Sequence, residues 1–202
     1  MNLLTAAVVG LGLWQGFTFL GEDMERQETF QAADAHAKRL GKPLLVVGSP
    51  YGSNSHRKAL QWPAHGIGDV TIDLDPAVTN VPGGQVADVR RIPFPDQHFG
   101  ASFVSHVLEH LATVDDAVQA VKELRRVSDG VFIVGPRKQM LTAWFVPDHH
   151  LWVNQLEDGR VEIENRPGWQ EWQRAPRHFE LAPPSTPGWP TEFTQARALP
   201  QP

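Results

Sequence analysis

The sequence contains no cysteine, and this absence removes several kinds of chemistry at once. A chain without cysteine has no disulfides, no thiolate ligands for zinc or iron–sulfur clusters, and no thiol nucleophile. Any catalysis must therefore use histidine, aspartate, glutamate, serine or lysine side chains, or a bound cofactor. The compartment stays open, because cysteine-free chains occur in both oxidising and reducing environments.

Positive charge is also scarce and scattered. The 202 residues include 18 Lys plus Arg against 23 Asp plus Glu, which gives a formal net charge of -5. A nucleic-acid-binding face needs clustered basic side chains to neutralise phosphates, so we expect no nucleic-acid partner. What the chain does have is 41% hydrophobic residues, which suits one globular domain with a packed core and excludes collagen and coiled coil.

The first apolar segment, residues 3–20, carries no charged side chain. As a helix of 18 residues it would be about 27 Å long, close to the thickness of a bilayer core. It predicts a membrane anchor, or contact of residues 3–20 with a membrane. A buried or interfacial helix stays open, because Gln15 and three glycines interrupt the segment. A cleavable signal peptide lacks the usual basic stretch after Met1.

Short apolar runs alternate with helical patterns over the next part of the chain. A helix is predicted at 25–40, and apolar spacing of three and four residues predicts another within His106 to Val127. Four runs predict strands buried on both faces: Leu44 to Val47, Val70 to Leu74, Gly100 to Val104 and Val131 to Val134. This alternation predicts an α/β fold, a Rossmann-like open, mostly parallel sheet with helices on both faces.

The remaining third divides into a hairpin and a tail. Two β-prone runs at 149–165 flank Glu157-Asp158-Gly159 and predict a β-hairpin. From residue 166 onward proline, glycine and tryptophan replace any periodicity. The predicted organisation is an apolar segment at 1–21, a domain at 22–165 and a tail at 166–202. We expect Trp144 and Trp152 to pack on the domain; for Trp169, Trp172 and Trp189, a lid, a partner contact and disorder stay open.

Two loops after predicted strands carry residues suited to a nucleoside ligand. Gly48, Ser49 and Gly52 follow the first strand, where backbone amides can approach a ligand closely, although an ordinary turn would have the same composition. Asp73 ends the second strand about 25 residues later, near the spacing at which a carboxylate binds a ribose diol. Because parallel sheets bind ligands at the carboxyl ends of their strands, the two features would meet in one site.

The stretch 87–99 (ADVRRIPFPDQHF) and the following 102–111 (SFVSHVLEHL) carry the most specific pattern in the chain. They resemble the class I S-adenosylmethionine-dependent methyltransferases, of the methyltransferase type 11 kind, from an acidic residue through a Pro-Phe-x-Asp turn to a Leu-Glu-His helix start. The resemblance covers roughly residues 42–136, and 144–149 is also similar to a segment of several of these enzymes. About half of the chain lies outside it.

The resemblance implies a cofactor, S-adenosylmethionine, and a reaction, methyl transfer to a small-molecule, lipid-like or membrane-associated acceptor. It also implies a cytoplasmic location, where this cofactor is available. His106, facing the reactive sulfonium, would be the catalytic base. The residues implied to hold the cofactor are Gly48, Ser49 and Gly52 at its methionine end, Asp73 at the ribose, Leu74, Asp88 and Val89 at the adenine, and Ser105 near the sulfonium.

Three departures from the family pattern keep a second function open. Val46 stands where the family has an acidic residue, Pro50 replaces the central glycine of the loop, and Gly100 replaces an aspartate. Proline also removes one backbone amide donor. The alternative function is therefore a non-catalytic, methyltransferase-like binding or scaffold domain.

His106 to His110 also matches H-x-x-E-H, a pattern in which two histidines one helical turn apart bind zinc. The pattern is short, and no third ligand at a suitable sequence distance is identifiable. Asp148, His149 and His150 could contribute only through long-range folding. The methyltransferase-like helix start explains the same residues, so the sequence predicts no metal site.

Overall fold

The computed structural model describes residues 2–51, 59–60, 63–166 and 178–181. In chain order the elements are α1 (Leu3–Leu40), β1 (Leu44–Val47), β2 (Val70–Asp73), a 3-10 helix (Pro76–Asn80), β3 (Gly84–Val86), β4 (Phe99–Ser105), a second 3-10 helix (Leu108–His110), α2 (Val114–Val127), β5 (Ser128–Val134), α3 (Leu141–Trp144), β6 (Leu151–Gln155), β7 (Val161–Asn165) and β8 (His178–Leu181).

Five strands form a parallel sheet in the order β3-β2-β1-β4-β5. The central strand β1 pairs with β2 on one side, where Val46 lies opposite Thr71, and with β4 on the other, where Val46 lies opposite Phe103. The predicted Rossmann-like, mostly parallel sheet is confirmed, as is the parallel pairing of the first two predicted strands. The four predicted runs all become strands, and β3 is added at one edge.

Both faces of the sheet are buried, which explains why its strands read as continuous apolar runs. All four residues of β1 are buried. Leu45 and Val47 pack on the face that carries α2, together with Leu124. Leu44 and Val46 pack on the opposite face. Val46, which stands where the family has an acidic residue, is therefore a core side chain.

Helix α1 covers that opposite face and is longer than the sequence predicted. The expected helix at 25–40 and the apolar segment before it form one helix of 38 residues, which ends at Gly41 in the left-handed conformation. Ala33 and Ala37 are buried against the sheet. A Cβ atom at Gly100 would lie 2.7 Å from the Ala37 Cα atom, so the glycine that replaces the family's aspartate is required by this close packing.

The N-terminal half of α1 projects apolar side chains outward. Phe17 and Leu20 are 73% and 59% exposed. Gln15 ties the segment to the chain after β5, donating to the Gln139 carbonyl at 3.2 Å and accepting from the Leu141 amide at 2.8 Å. Among the described residues, no helix has an apolar stretch sufficient to cross a bilayer, and the membrane anchor predicted for residues 3–20 is not supported.

The predicted helix at 106–127 begins later than its apolar spacing indicated. A 3-10 turn occupies Leu108–His110, and α2 starts only at Val114. Thr113 sets this start, because its hydroxyl oxygen accepts a hydrogen bond from the Asp116 amide at 3.1 Å and caps the helix. The apolar spacing did not reveal the break, since Leu108 is buried in the same core as α2.

A second, antiparallel sheet has the strand order β6-β7-β8. The predicted hairpin is confirmed as β6 and β7, with Val153 opposite Ile163. The tail, which showed no periodicity, adds β8 alongside β7. Of the tryptophans expected to pack, Trp152 is buried and Trp144 lies beside it with ring centroids 5.0 Å apart. The tail tryptophans at 169, 172 and 189 lie outside the described residues.

The turn that precedes β4 is held to α2 by Arg126. Its guanidinium group donates to the carbonyl oxygens of Ile92 and Phe94 at 2.9 and 2.8 Å. It also pairs with Glu123 and Asp96, both at 2.8 Å. One side chain therefore satisfies two carbonyl groups and two carboxylates of the Pro-Phe-x-Asp turn and its neighbouring helix.

We expect Arg126→Ala to lower the free energy of unfolding by about 1–3 kcal/mol, because two carbonyls and Glu123 lose their donor. Urea denaturation followed by circular dichroism measures this change. Lys122→Ala, an exposed position on the same helix, is the matched control and should change stability by less than about 0.5 kcal/mol. Equal effects of the two variants would show that the Arg126 contacts do not stabilise the turn.

Candidate active site

The loop after β1 requires glycine at its first position. Gly48 has φ +98, a conformation that L side chains rarely adopt. A Cβ atom there would lie 2.6 Å from a methyl carbon of Val107 and 3.3 Å from the Ser105 carbonyl oxygen. The backbone of β1 therefore passes close to the end of β4, as the glycine loop of a nucleotide-binding sheet does. Ser49 follows, with its hydroxyl 3.3 Å from the Tyr51 amide; Gly52 lies outside the described residues.

Asp73 lies one strand away at the same edge. It is the last residue of β2, and the Gly48 amide donates to the carbonyl of the residue before it, Ile72, at 2.9 Å. One carboxylate oxygen of Asp73 accepts the Asp75 amide at 2.9 Å, which fixes its rotamer. Leu74 is 60% exposed beside it. A carboxylate and an exposed apolar side chain are thus placed together at the carboxyl edge.

Asp88 is engaged by a neighbouring arginine. Its two oxygens accept the Arg90 guanidinium at 3.0 and 2.7 Å, and Arg90 also donates to Asp116 at 2.8 Å. The Arg90 hydrogen bond holds the pKa of Asp88 below its usual value, against the effect of partial burial. The predicted adenine contact of Asp88 therefore requires Arg90 to share this carboxylate. Val89, whose amide was expected beside the adenine, is buried.

His106 follows the buried Ser105 at the end of β4 and lies between two carboxylates. Its Nε2 is 3.3 Å from an oxygen of Glu22, and its Nδ1 is 3.3 Å from an oxygen of Glu109. Both glutamates are buried, at 6% and 1% exposure. His106 also has φ +53, and its amide donates to the Val134 carbonyl at 3.0 Å. A histidine held in a rare backbone conformation between acids is typical of a functional position.

The pKa of Glu109 reflects two opposed effects. Burial raises the pKa, whereas the contact with His106 lowers it by more. The net result is a pKa below the ordinary value for glutamate. Glu109 is therefore ionised at neutral pH. A buried carboxylate of this kind must be stabilised by cations or donors that face it.

Sequence reasoning missed Glu22 as a site residue. It lies in α1, in the first acidic stretch after the apolar segment, and nothing in the local pattern connects it with residue 106. The structure places Gly48, Asp73 and the Ser105–His106 pair at the carboxyl edge of the sheet, and their roles toward a cofactor stay predictions. Asp88 is near them in the fold but its carboxylate faces Arg90.

A parallel sheet of this order, with a glycine loop after β1 and an acid at the end of β2, defines a Rossmann-like domain. Residues 51–134 match the family model described as a methyltransferase domain. The resemblance seen in the sequence is thereby confirmed over that region. Domains of this family typically use S-adenosylmethionine.

Solved structures give more distant similarities. The [4+2]-cyclase SpnF is 20% identical over 52% of this chain and 43% of its own, with a TM-score of 0.34. The PH0226 protein from Pyrococcus horikoshii OT3 is 17% identical over 77% of this chain and 74% of its own, with a TM-score of 0.36. The chain thus spans less than half of SpnF. No curated protein sequence matches it.

The Asp88–Arg90–Asp116 contacts predict an acid-dependent contribution to stability. The pKa values of Asp88 and Asp116 are lowered by hydrogen bonds, to Arg90 for Asp88 and to Thr113 and Arg90 for Asp116. A lowered folded-state pKa means that the contribution is complete above the unfolded-state value of 3.8 and is lost as the pH falls below it.

We therefore expect Arg90→Gln to destabilise the protein at pH 7 and to have a smaller effect at pH 3. Chemical denaturation of wild type and variant at both pH values gives the two differences. Lys122→Gln serves as a control for loss of one positive charge from the exposed surface. A difference for Arg90→Gln that is the same at both pH values would contradict the assignment.

Proposed function

We propose that this protein is an S-adenosylmethionine-dependent methyltransferase that acts on a small or membrane-associated acceptor. The observation that carries the proposal is the meeting of Gly48 and Asp73 at one edge of the parallel sheet. The match of residues 51–134 to a methyltransferase domain supports methyl transfer in general. Because the donor is available in the cytoplasm, the proposal places the domain there.

The residues present fit the donor at two of its parts. Gly48 keeps the loop free of a side chain that would collide with Val107, and Ser49 adds a hydroxyl beside it. Asp73 offers a carboxylate for the ribose hydroxyls, and the exposed Leu74 offers an apolar surface for the adenine. When bound, the donor supplies an electrophilic methyl group on a sulfonium. The protein's part is to hold the acceptor in line with that group and to exclude water.

His106 is the residue proposed to accept the acceptor's proton. Carboxylates lie on both sides of its ring, where acids orient the base in other enzymes. Neither contact is a well-aligned hydrogen bond, since the described residues provide no partner of good geometry for Nε2. An acceptor hydroxyl could therefore take the position that Glu22 now approaches.

Two features favour an apolar or uncharged acceptor. The net charge of -5 disfavours anionic polymers. The side of α1 before Glu22 exposes Phe17 and Leu20, which offer apolar contact area within about one and a half turns of Glu22, the carboxylate partner of His106. A small apolar or lipid-like molecule would match both features.

A non-catalytic binding or scaffold domain is the second candidate, and the Asp88–Arg90 contact favours it. The carboxylate that the family pattern assigns to adenine is occupied by an internal arginine. Pro50 also removes one amide from the loop that would face the cofactor. If the donor does not bind, the Arg90 side chain on Asp88 and the proline at position 50 are the physical explanation.

Donor binding separates the two candidates. S-adenosylmethionine or S-adenosylhomocysteine at 100 times its dissociation constant should stabilise the fold by about 2.7 kcal/mol, which a thermal shift or calorimetric titration detects. Asp73→Asn should weaken binding by about 1–3 kcal/mol, because the ribose hydroxyls lose a charged acceptor. Asp158→Asn, in the β6–β7 turn, should leave it unchanged. No response to either compound at millimolar concentration would favour the scaffold candidate.

The role of His106 is tested by turnover. With methyl-labelled donor and an acceptor found by screening, His106→Ala should lower the rate by about 10²–10⁴-fold, the usual contribution of a general base. Donor affinity should stay within a few-fold of wild type. His98→Ala, an exposed histidine before β4, is the matched control. Unchanged turnover in His106→Ala would remove the base assignment but not the donor site.

A further inference from the structure

Three potential metal ligands converge beside His106. Glu109 and His110 lie in the 3-10 helix after β4, and His149 lies in the loop before β6. One ligand atom from each residue lies within 4.8 Å of the other two. Two imidazoles and one carboxylate are the protein ligands of many zinc sites that keep an open position. We propose that Glu109, His110 and His149 bind one divalent transition-metal ion of the Zn²⁺ type.

The first support is a buried carboxylate without a full set of partners. Glu109 is 1% exposed, and its Oε1 atom has no hydrogen bond to any part of the chain that the structure describes. His106 Nδ1 lies 3.3 Å from this oxygen, without the alignment of a hydrogen bond. A buried carboxylate oxygen without a hydrogen bond has an open acceptor position, and a metal ion would fill it.

The second support is the orientation of His110. Its Nδ1 atom lies 3.1 Å from the backbone carbonyl oxygen of Asp148 and 3.2 Å from the Asp148 carboxylate. A proton on Nδ1 is donated to these oxygens, which leaves the lone pair on Nε2. Histidines that bind metal ions usually donate their other ring N–H to a carboxylate or carbonyl in this way. Asp148 thus fixes the ring in the tautomer that a metal ion requires.

The third support is His149, which is held close to Glu109 by the backbone. The amide of the next residue, His150, donates to the Glu109 carbonyl at 2.7 Å, and Arg166 donates to the His149 carbonyl at 2.9 Å. The Nδ1 atom of His149 is buried and finds no hydrogen-bond partner among the described residues. A buried ring nitrogen without a partner is a ligand atom that a metal ion would satisfy.

The geometry needs only a small contraction. Ligand atoms about 2.1 Å from a tetrahedral ion lie about 3.4 Å apart, compared with the 4.8 Å that bounds the cluster. The largest separation would have to shorten by up to about 1.4 Å. The His110 side chain is 39% exposed, so packing confines it less than it confines Glu109. The zinc-like pattern in the sequence paired His110 with His106. In the fold, the second imidazole is His149, and His106 Nδ1 lies 3.3 Å from Glu109 Oε1.

Metal binding is measured on the full chain without any methyl donor. Protein freed of metal with a chelator is titrated with Zn²⁺ by calorimetry. We expect one ion per chain, and at least about 10-fold weaker binding for His149→Ala and for Glu109→Gln. His150→Ala is the matched control, because His150 is the next residue, exposed, and keeps its backbone amide. Binding that is absent, or reduced as much by His150→Ala as by His149→Ala, would overturn the proposal.

Three further measurements distinguish loss of the metal site from misfolding of a variant. Circular dichroism establishes that each variant is folded, and Asp148→Asn, which leaves all three ligands in place, should weaken Zn²⁺ binding about 10-fold or more. Co²⁺ titration should give the visible absorption of a low-symmetry, four- or five-coordinate ion, and its lack with folded protein would contradict the site. Zn²⁺ binding without a response to S-adenosylmethionine would overturn the proposed function alone.

Discussion

All five strands of the main sheet run in the same direction, and the rest of the structure depends on this constraint. Parallel strands place their carboxyl ends at one edge, so residues that are distant in sequence meet there. The proximity of Gly48, Asp73 and Ser105 follows from this arrangement alone. A parallel sheet must also be covered on both faces, which makes the helices that pack on it part of the site's architecture.

Helix α1 shows how covering the sheet and building the site are linked. Small residues at Ala33 and Ala37 and the glycine at position 100 let this helix approach the sheet closely. The same helix then extends past the sheet edge and brings Glu22 against His106. The change from the family's aspartate to Gly100 is thus explained by packing, while the region around His106 gains a carboxylate from a different element.

The parts of this fold that could be predicted from the sequence are those determined by local pattern. Buried apolar runs specified β1, β2, β4 and β5, and the turn Glu157-Asp158-Gly159 specified the hairpin. The start of α2 was misplaced because buried Leu108 continues the apolar spacing through a 3-10 turn. Strand β8 was missed because its own sequence shows no periodicity, and only its pairing with β7 identifies it as a strand.

The residues of the candidate site also fall into those that a local sequence pattern predicts and those that it does not. The positions of Gly48, Asp73 and His106 could be predicted because each lies at or just after the end of a strand and matches a motif. Glu22 and His149 could not be, since their contacts join elements with no common sequence pattern. Arg90 was missed for another reason: a motif assigns a role to Asp88 but does not indicate which internal side chain competes for it.

The most direct test of the central claim is a crystal structure of the protein with S-adenosylhomocysteine. We expect the ligand at the carboxyl edge of the sheet, with its ribose hydroxyls within hydrogen-bond distance of Asp73 and its sulfur facing Ser105 and His106. A ligand bound at another surface, or crystals grown at millimolar ligand in which Gly48 and Asp73 contact only protein and solvent, would contradict the claim that this edge is the donor site.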